Sequence, residues 1–251
     1  MKYSMLLASL APTLMAAPLT RDTFEWTPTL AGYFDVVFQY MQQAQSPGQP
    51  SATCDLSRAA MPIAPTPLPN PTGLILEHVA VGRGIQNYTC ANATATPAAL
   101  GAVARFYNAS CVAADYPDLL GLIPNLALQY PLPADPSAPL APSDLQLSTH
   151  HYFSNASTPV FAFDTATSPK FGTIIAQKIH SSDAPANAVP GISGTGNGAV
   201  PWLYLTPRST SESPIKAVYR LSTAGGQPPE TCANMPAAFS VDYSAIYWFY
   251  K

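Results

Sequence analysis

The sequence predicts an all-β fold, a single-domain β-sandwich or barrel of about eight or nine strands with one N-terminal helix and one short internal helix. From Leu74 onward the chain consists of short segments rich in β-branched and aromatic residues, separated by clusters of Pro, Gly, Asn and Ser. The alternation of strands and helices that builds a parallel nucleotide-binding sheet is absent. With 28 prolines and 47% apolar residues, the composition suits stiff loops around a sizeable core.

Residues 1–17 are predicted to be a secretory signal peptide. Lys2 stands ahead of an apolar run that is too short to span a bilayer, and Ala16 and Ala17 supply the small residues of a cleavage site. No later run of about 18 or more apolar residues follows. We therefore expect a secreted, extracellular protein without a membrane span.

Residues 18–53 are predicted to hold the N-terminal helix and the start of a proline-rich segment. Thr27 and Pro28 have the pattern of a helix N-cap followed by proline in the first turn, and apolar residues then recur at helical spacing. This pattern predicts a helix over residues 28–43. The proline-rich stretch continues from Gln45 to Thr72 and predicts an extended surface segment leading into a β domain over residues 54–251.

The β domain contains nine candidate strands. They cover residues 74–82, 84–90, 102–111, 149–154, 159–164, 171–180, 200–206, 215–222 and 238–250. Only residues 116–133 break the series, where a leucine-rich stretch predicts the short internal helix. Between the first two strands, Gly82-Arg-Gly84 predicts a bulge or tight bend with Arg83 at the kink.

Cysteines and glycosylation motifs agree with secretion. Cys54, Cys90, Cys111 and Cys232 form an even set without a Cys-x-x-Cys pair, so two disulfides are expected. Of the three possible connectivities, we favour Cys90 with Cys111, which closes a local loop, and Cys54 with Cys232. Four Asn-x-Ser/Thr motifs predict glycosylation, at Asn87, Asn92, Asn108 and Asn155.

The charge content argues against nucleic acid as a partner. Only 10% of the residues are charged, and the formal net charge is −3. No basic stripe is present to hold a phosphate backbone or an anionic membrane surface.

Five separated stretches resemble one family of fungal secreted proteins, the DUF3455 family. They are LEHVAVGRGIQNYTC, HHYF, WLYLT, VYRLSTAGGQPPETC and VDYSAIYWFY. The resemblance covers residues 54–251, and it implies no activity, because none is assigned to the family. Some relatives carry an automatic label of malate dehydrogenase.

The residues contradict a dehydrogenase activity. A dinucleotide-binding turn needs a third glycine and a following helix, whereas Gly82-Arg-Gly84 has neither Gly at residue 87 nor a helical pattern after it. The second glycine cluster, residues 191–201, runs into Pro201 and also opens no helix. We therefore reject the dehydrogenase hypothesis and predict no cofactor.

Histidines and carboxylates supply the catalytic candidates, which are Glu77, Asp164 and His151. Asp144 or Asp242 are alternatives for the second carboxylate of a glycosidase pair. His150 and His151 are adjacent on a strand and point to opposite faces, so they cannot chelate one ion, and no metal site is predicted. A core histidine bonded to the backbone is the favoured interpretation of this pair.

Aromatic residues supply the candidates for ligand binding. In Pro201-Trp-Leu-Tyr-Leu205, Trp202 and Tyr204 share one face of a strand, where such side chains stack on sugar rings or simply pack together. The other binding candidates are His78, Arg83 and His151.

The leading hypothesis is a secreted glycoprotein that binds a polysaccharide or a cell-wall partner. The alternative is a secreted hydrolase acting on a glycan or an ester. A structural or host-interaction protein without a small ligand is the third possibility, and binding is favoured over catalysis.

Overall fold

The computed structural model describes residues 54–165, 168–190 and 198–251, and they form an eight-stranded closed barrel. The strands are β1 (Leu76–Thr89), β2 (Ala98–Asn108), β3 (Leu147–Asn155), β4 (Thr158–Ala162), β5 (Thr173–Ser182), β6 (Trp202–Pro207), β7 (Ala217–Gly225) and β8 (Ala238–Tyr250). Two helices, α1 (Ser110–Asp115) and α2 (Pro117–Leu128), lie between β2 and β3. The predicted signal peptide and the predicted helix over residues 28–43 lie outside the described residues.

Each strand pairs antiparallel with the next one in the chain, and β8 pairs with β1 to close the barrel. The all-β prediction is confirmed, and so is the short internal helix. The strand count is eight because residues 74–82 and 84–90, predicted as two strands, form the single strand β1. Its register with β2 and β8 runs unbroken through Gly82, Arg83 and Gly84, so the predicted bulge there is wrong.

The two glycines of β1 make room inside the barrel. A Cβ on Gly82 would stand 2.7 Å from Cε1 of Phe106 and 2.8 Å from Cε2 of Tyr247, and a Cβ on Gly84 would collide with the backbone of β2. The rings of Phe106 and Tyr247 therefore fill the space over Gly82, and the closely approaching β2 backbone fills the space over Gly84. The glycines serve packing rather than a change in strand direction.

Alternate residues of the strands point inward and form one of the two cores. Near the end of the barrel where β1 begins, this core is aromatic: Phe106 and Tyr247 have ring centroids 4.1 Å apart, and Phe163 and Phe171 are 5.1 Å apart. The inward residues of this core are fully or almost fully buried. That half of the interior is filled by side chains, as is common in barrels of this strand number.

The second core lies on the outer face of the barrel, under the helices and the proline-rich segment. Outward residues such as Trp248 and Tyr219 of β8 and β7 pack with Leu126 of α2. The hydroxyl of Tyr219 donates to the carbonyl oxygen of Pro69 at 2.7 Å and ties the proline-rich segment to the barrel wall. None of the helices in the described residues has the length and apolar character needed to cross a bilayer.

Two disulfides link Cys54 to Cys111 and Cys90 to Cys232. Two disulfides were expected, but the favoured pairing was wrong. The reason is topological: Cys90 follows β1 and Cys232 precedes β8, and these strands are neighbours in the closed barrel, with Cα atoms of the two cysteines 5.7 Å apart. Cys111 lies in α1, which follows the opposite end of β2, and bonds to Cys54 at the start of the described proline-rich segment instead.

Candidate functional site: the open end of the barrel

An open cavity of about 530 Å³ occupies the end of the barrel opposite the aromatic half. Its wall consists of inward residues near the far ends of the strands, and its rim consists of the loops that join β1 to β2, β3 to β4, β5 to β6 and β7 to β8. This volume lies in the range of pockets that hold small organic ligands. The lining is mainly apolar, with residues such as Phe153, Phe161 and Leu203.

Arg220 of β7 reaches into this cavity. Its Nε and Nη2 both donate to the carbonyl oxygen of Pro201, at 3.2 and 2.8 Å, which fixes the plane of the guanidinium. Neither of these bonds uses Nη1. Burial raises the pKa of Tyr247, and the neighbouring Arg220 guanidinium opposes that shift. The cation therefore lies beside the phenol on the cavity wall.

Lys178 is the second cation of the cavity lining. It follows inward-facing Ala176 on β5, and a register shift after Lys178 brings Ser181 back to the same inner face. No aspartate or glutamate of the described chain lines the cavity, and no described carboxylate forms an ion pair with Lys178 or Arg220. The site is thus electropositive within an apolar wall.

His151 forms part of the cavity wall as a neutral imidazole. Its Nδ1 lies 2.8 Å from the carbonyl oxygen of Val160, and because a carbonyl only accepts, Nδ1 carries the proton and Nε2 the lone pair. The ring stacks on Phe161 with centroids 4.5 Å apart. The pKa of His151 is lowered to about 4, mainly by burial; the hydrogen bond to Val160 opposes this shift, and the Arg220 guanidinium adds a smaller lowering effect. This confirms the prediction of a core histidine bonded to the backbone.

Gln86 and Tyr88 of β1 complete the polar part of the wall. The Tyr88 hydroxyl donates to the carbonyl oxygen of Gly226 at 2.8 Å, and burial raises the pKa of Tyr88 to about 12. Gln86 is 9% exposed, and its amide nitrogen has no hydrogen-bond partner among the described residues. A buried amide donor without a partner is uncommon and costly, which makes Gln86 a candidate ligand contact.

Arg83, a predicted ligand contact, lies on the outer face of the barrel instead. Its Nε donates to the carbonyl oxygen of Ala127 at 3.1 Å, and its Nη1 lies 3.0 Å from Oδ1 of Asp242. The side chain is only 3% exposed. Arg83 thus satisfies a carbonyl group at the C-terminal end of α2, which is a structural role.

The structure does not bring the catalytic candidates together. Glu77 pairs with Lys251 at 2.6 Å, while Asp164 lies beside Nδ1 of His150 at 2.7 Å. Only His151 of the three candidates lines the cavity. In the described part of the chain, no group of three or more His, Cys, Asp or Glu side chains is arranged to hold a metal ion.

His78 points into the filled half of the barrel. It is 3% exposed, and its Nε2 lies 3.1 Å from the hydroxyl of Ser148. Rings of Phe163, Phe171 and Phe249 surround it. Burial lowers the pKa of His78 to about 3, with a further contribution from Lys170. This histidine belongs to the core and does not face the cavity.

Trp202 and Tyr204 share the outer face of β6, as predicted, and Leu203 and Leu205 share the inner one. Trp202 is only 5% exposed, because its ring belongs to the outer core. It offers no open ring face on which a sugar could stack. Tyr204 is half-buried and packs against Tyr219, with centroids 5.0 Å apart.

The sequence reasoning missed Arg220, Lys178 and Gln86 as site residues. A usable signal existed for two of them: Arg220 falls two residues after Val218, and Lys178 two residues after Ala176, so both share the inner face with core residues. A charged side chain at an inward position of a barrel strand points to a polar cavity.

The glycosylation motifs lie at accessible positions. Asn92, Asn108 and Asn155 are exposed, and Asn87 is half-exposed on the outer face of β1. In three of the motifs the asparagine side chain accepts a hydrogen bond from the backbone N–H two residues later, as at Asn155 and Ser157. Ser157 itself lines the rim of the cavity.

Comparison with known proteins places the chain in a family. Residues 71–251 match the model of the family described as protein of unknown function (DUF3455), and residues 8–69 match a second model, protein of unknown function (DUF2990). A search of curated proteins finds no match, and a search of solved structures finds none. The first match covers the whole barrel and most of the chain, and so confirms the resemblance carried by the five sequence stretches: the protein belongs to the DUF3455 family.

Proposed function

We propose that the protein is a secreted glycoprotein that binds a small, largely apolar molecule inside its barrel. The observation that carries this proposal is the open cavity of about 530 Å³, walled by Phe153, Phe161 and Leu203. An eight-stranded barrel is just wide enough to be filled by side chains or to hold one small ligand. Here one half is filled and the other is open, which favours a ligand.

Secretion and glycosylation are supported by the signal-peptide pattern at residues 1–17, the two disulfides and the exposed asparagine motifs. The polysaccharide or cell-wall partner stays a prediction, and the burial of Trp202 removes the residue on which it most depended. The separation of Glu77 and Asp164 into two different ion pairs gives the hydrolase alternative no support.

The test is a titration of the purified protein with N-phenyl-1-naphthylamine, an uncharged dye that fluoresces when it leaves water. We expect saturable binding of one dye per chain. Leu205→Trp fills the cavity from an inward position and should abolish the signal, whereas Leu145→Trp, outside the cavity lining, should retain it. Absence of saturable binding in the unmodified protein contradicts the proposal.

A further inference from the structure

We infer that the ligand of the cavity is an organic acid, an apolar or aromatic body that carries one carboxylate held by Arg220 and Lys178. This inference rests on the proposed function and adds the chemical class of the ligand. Two independent observations support it: the sign of the charge in the cavity, and the amide of Gln86.

The first observation is the charge of the wall. Arg220 and Lys178 line the cavity, and no described aspartate or glutamate lines it or pairs with either cation. A buried or half-buried guanidinium in a mainly apolar wall is unfavourable without an anion. Elsewhere in the described chain, the deeply buried Arg83 has the carboxylate of Asp242 at 3.0 Å. A ligand carboxylate supplies at Arg220 what Asp242 supplies at Arg83.

The orientation of Arg220 suits this role. Both bonds to Pro201 hold the guanidinium in one plane, and the guanidinium also interacts with the hydroxyl of Tyr247 on the cavity wall. Arginine binds carboxylates through such a fixed fork, whereas lysine acts as a mobile point charge. Lys178 is exposed, so it meets the anion at the mouth, and Arg220 is half-buried, so it holds the anion farther in.

The second observation is the polar group without a partner. Gln86 is nine-tenths buried, lines the cavity, and has an amide nitrogen with no hydrogen-bond partner among the described residues. That nitrogen is a donor, and so are the groups of Arg220 and Lys178. Three donors in the lining of one cavity favour a ligand that presents acceptors, which a carboxylate does at both oxygens.

The apolar part of the wall defines the rest of the ligand. Phe153, Phe161 and Leu203 line the same cavity as the two cations, and the neutral His151 ring is stacked on Phe161. The neutral imidazole adds no charge to this part of the wall. The wall therefore suits a ring or a branched chain attached to the carboxylate rather than a small polar acid.

The experiment compares 4-phenylbutanoic acid with 4-phenylbutanamide, which have the same body and differ in charge. The affinity of each compound is measured near neutral pH in two ways, by displacement of the bound dye and by direct calorimetric titration. We expect the acid to bind at least about tenfold tighter than the amide, because a charge-assisted pair is lost in the amide. Added sodium chloride should weaken binding of the acid and leave binding of the amide unchanged.

Arg220→Gln should remove most of the difference in affinity between the acid and the amide, and Lys178→Gln should remove part of it. The matched control is Arg105→Gln, since Arg105 also donates to a proline carbonyl, that of Pro133 at 2.9 Å, but does not line the cavity. The Arg105→Gln control should bind the acid more tightly than the amide by the same factor as the unmodified protein. If Arg220→Gln fails to fold, the acid and amide titrations of the unmodified protein and of Lys178→Gln decide the matter.

The outcomes separate the two proposals. If the dye binds and acid and amide bind equally well, the organic-acid inference is overturned while the cavity remains a ligand site. If neither dye, acid nor amide binds by either method, both proposals fail. Acid selectivity that survives in both Arg220→Gln and Lys178→Gln also overturns the assignment of the anion site.

Discussion

The ring of Tyr247 occupies the space that a side chain on Gly82 would need. A Cβ at this position would stand 2.8 Å from Cε2 of Tyr247, closer than real contacts allow. Because β1 and β8 pair along their whole length, neither the strand nor the buried ring has room to move. One glycine thus allows the aromatic packing that fills half of the barrel.

Gly82→Ala is therefore expected to lower the free energy of unfolding by about 1–3 kcal/mol, as overpacking does in well-filled cores. The matched control is Gly121→Ala in the helix α2, where a Cβ meets nothing within 4 Å. There the substitution should raise stability by about 0.5–1 kcal/mol through helix propensity. Urea unfolding of both variants measures the difference, and an increase in stability for Gly82→Ala would contradict the packing argument.

The second prediction concerns Arg83. Arg83→Met leaves the carbonyl oxygen of Ala127 and the carboxylate of Asp242 without their donor, and we expect a loss of about 2–3 kcal/mol. Asp242→Asn should cost less than about 1 kcal/mol, because that carboxylate is 45% exposed. A larger loss for Asp242→Asn than for Arg83→Met would show that the ion pair, and not the helix end, accounts for the effect.

The faces of the strands could be predicted from sequence because alternation in a strand is strict. Trp202 and Leu203 fall on opposite faces as expected, and so do His150 and His151. Nothing in that alternation tells which face is covered, so the sequence left open whether Trp202 binds a sugar or packs, and the outer layer of helices and proline-rich chain buries it.

The disulfide pairing and the cavity could not be predicted, because both depend on the closure of the barrel. Cys90 and Cys232 are separated by 142 residues and become neighbours only when β8 pairs with β1. The cavity likewise depends on how far the inward side chains of eight strands reach toward one another. Neither the disulfide pairing nor the cavity can be predicted from the spacing of residues along the sequence.

The third prediction tests this pairing directly. Proteolysis of the unreduced protein should yield one peptide pair that joins Cys54 to Cys111 and another that joins Cys90 to Cys232. Mass spectrometry before and after reduction identifies them. A peptide pair linking Cys90 to Cys111 would contradict the structure.

The third prediction extends to stability: removal of the Cys90–Cys232 disulfide at the cavity rim should lower the free energy of unfolding. Chain-entropy arguments give about 5 kcal/mol for the Cys90→Ser, Cys232→Ser double variant, and about 4 kcal/mol for the corresponding variant of Cys54 and Cys111, which closes a shorter loop. Thermal unfolding of both variants compares them. The first should also weaken dye binding, because Cys90 and Cys232 tie together two loops of the cavity rim.

The fourth prediction is a loss of stability in acid that depends on His151. Burial lowers the pKa of this imidazole from 6.5 to about 4, so the unfolded chain binds a proton more readily than the folded one. The stabilisation is complete above pH 6.5 and is lost as the pH falls to about 4, with a total of up to about 3 kcal/mol.

His78 contributes in the same direction down to a pH of about 3. Urea unfolding across this range should therefore show a shallower decline for His151→Gln than for the unmodified protein. An identical pH dependence in the two proteins would contradict the assignment to His151.

The last prediction separates stability from binding at Gln86. Its unpartnered amide nitrogen is buried in the unliganded protein, and such a group costs about 1–3 kcal/mol. Gln86→Leu removes the amide while keeping much of the volume, so the free protein should become more stable by about 1 kcal/mol. The same variant should bind 4-phenylbutanoic acid severalfold more weakly, since one of the three donors in the cavity lining is lost. Gln177→Leu is the matched control, because the Gln177 amide pairs with the Thr206 hydroxyl outside the cavity lining and should affect neither acid binding nor dye binding. A Gln86→Leu protein that is less stable and binds the acid normally would show that the amide serves the fold rather than the ligand.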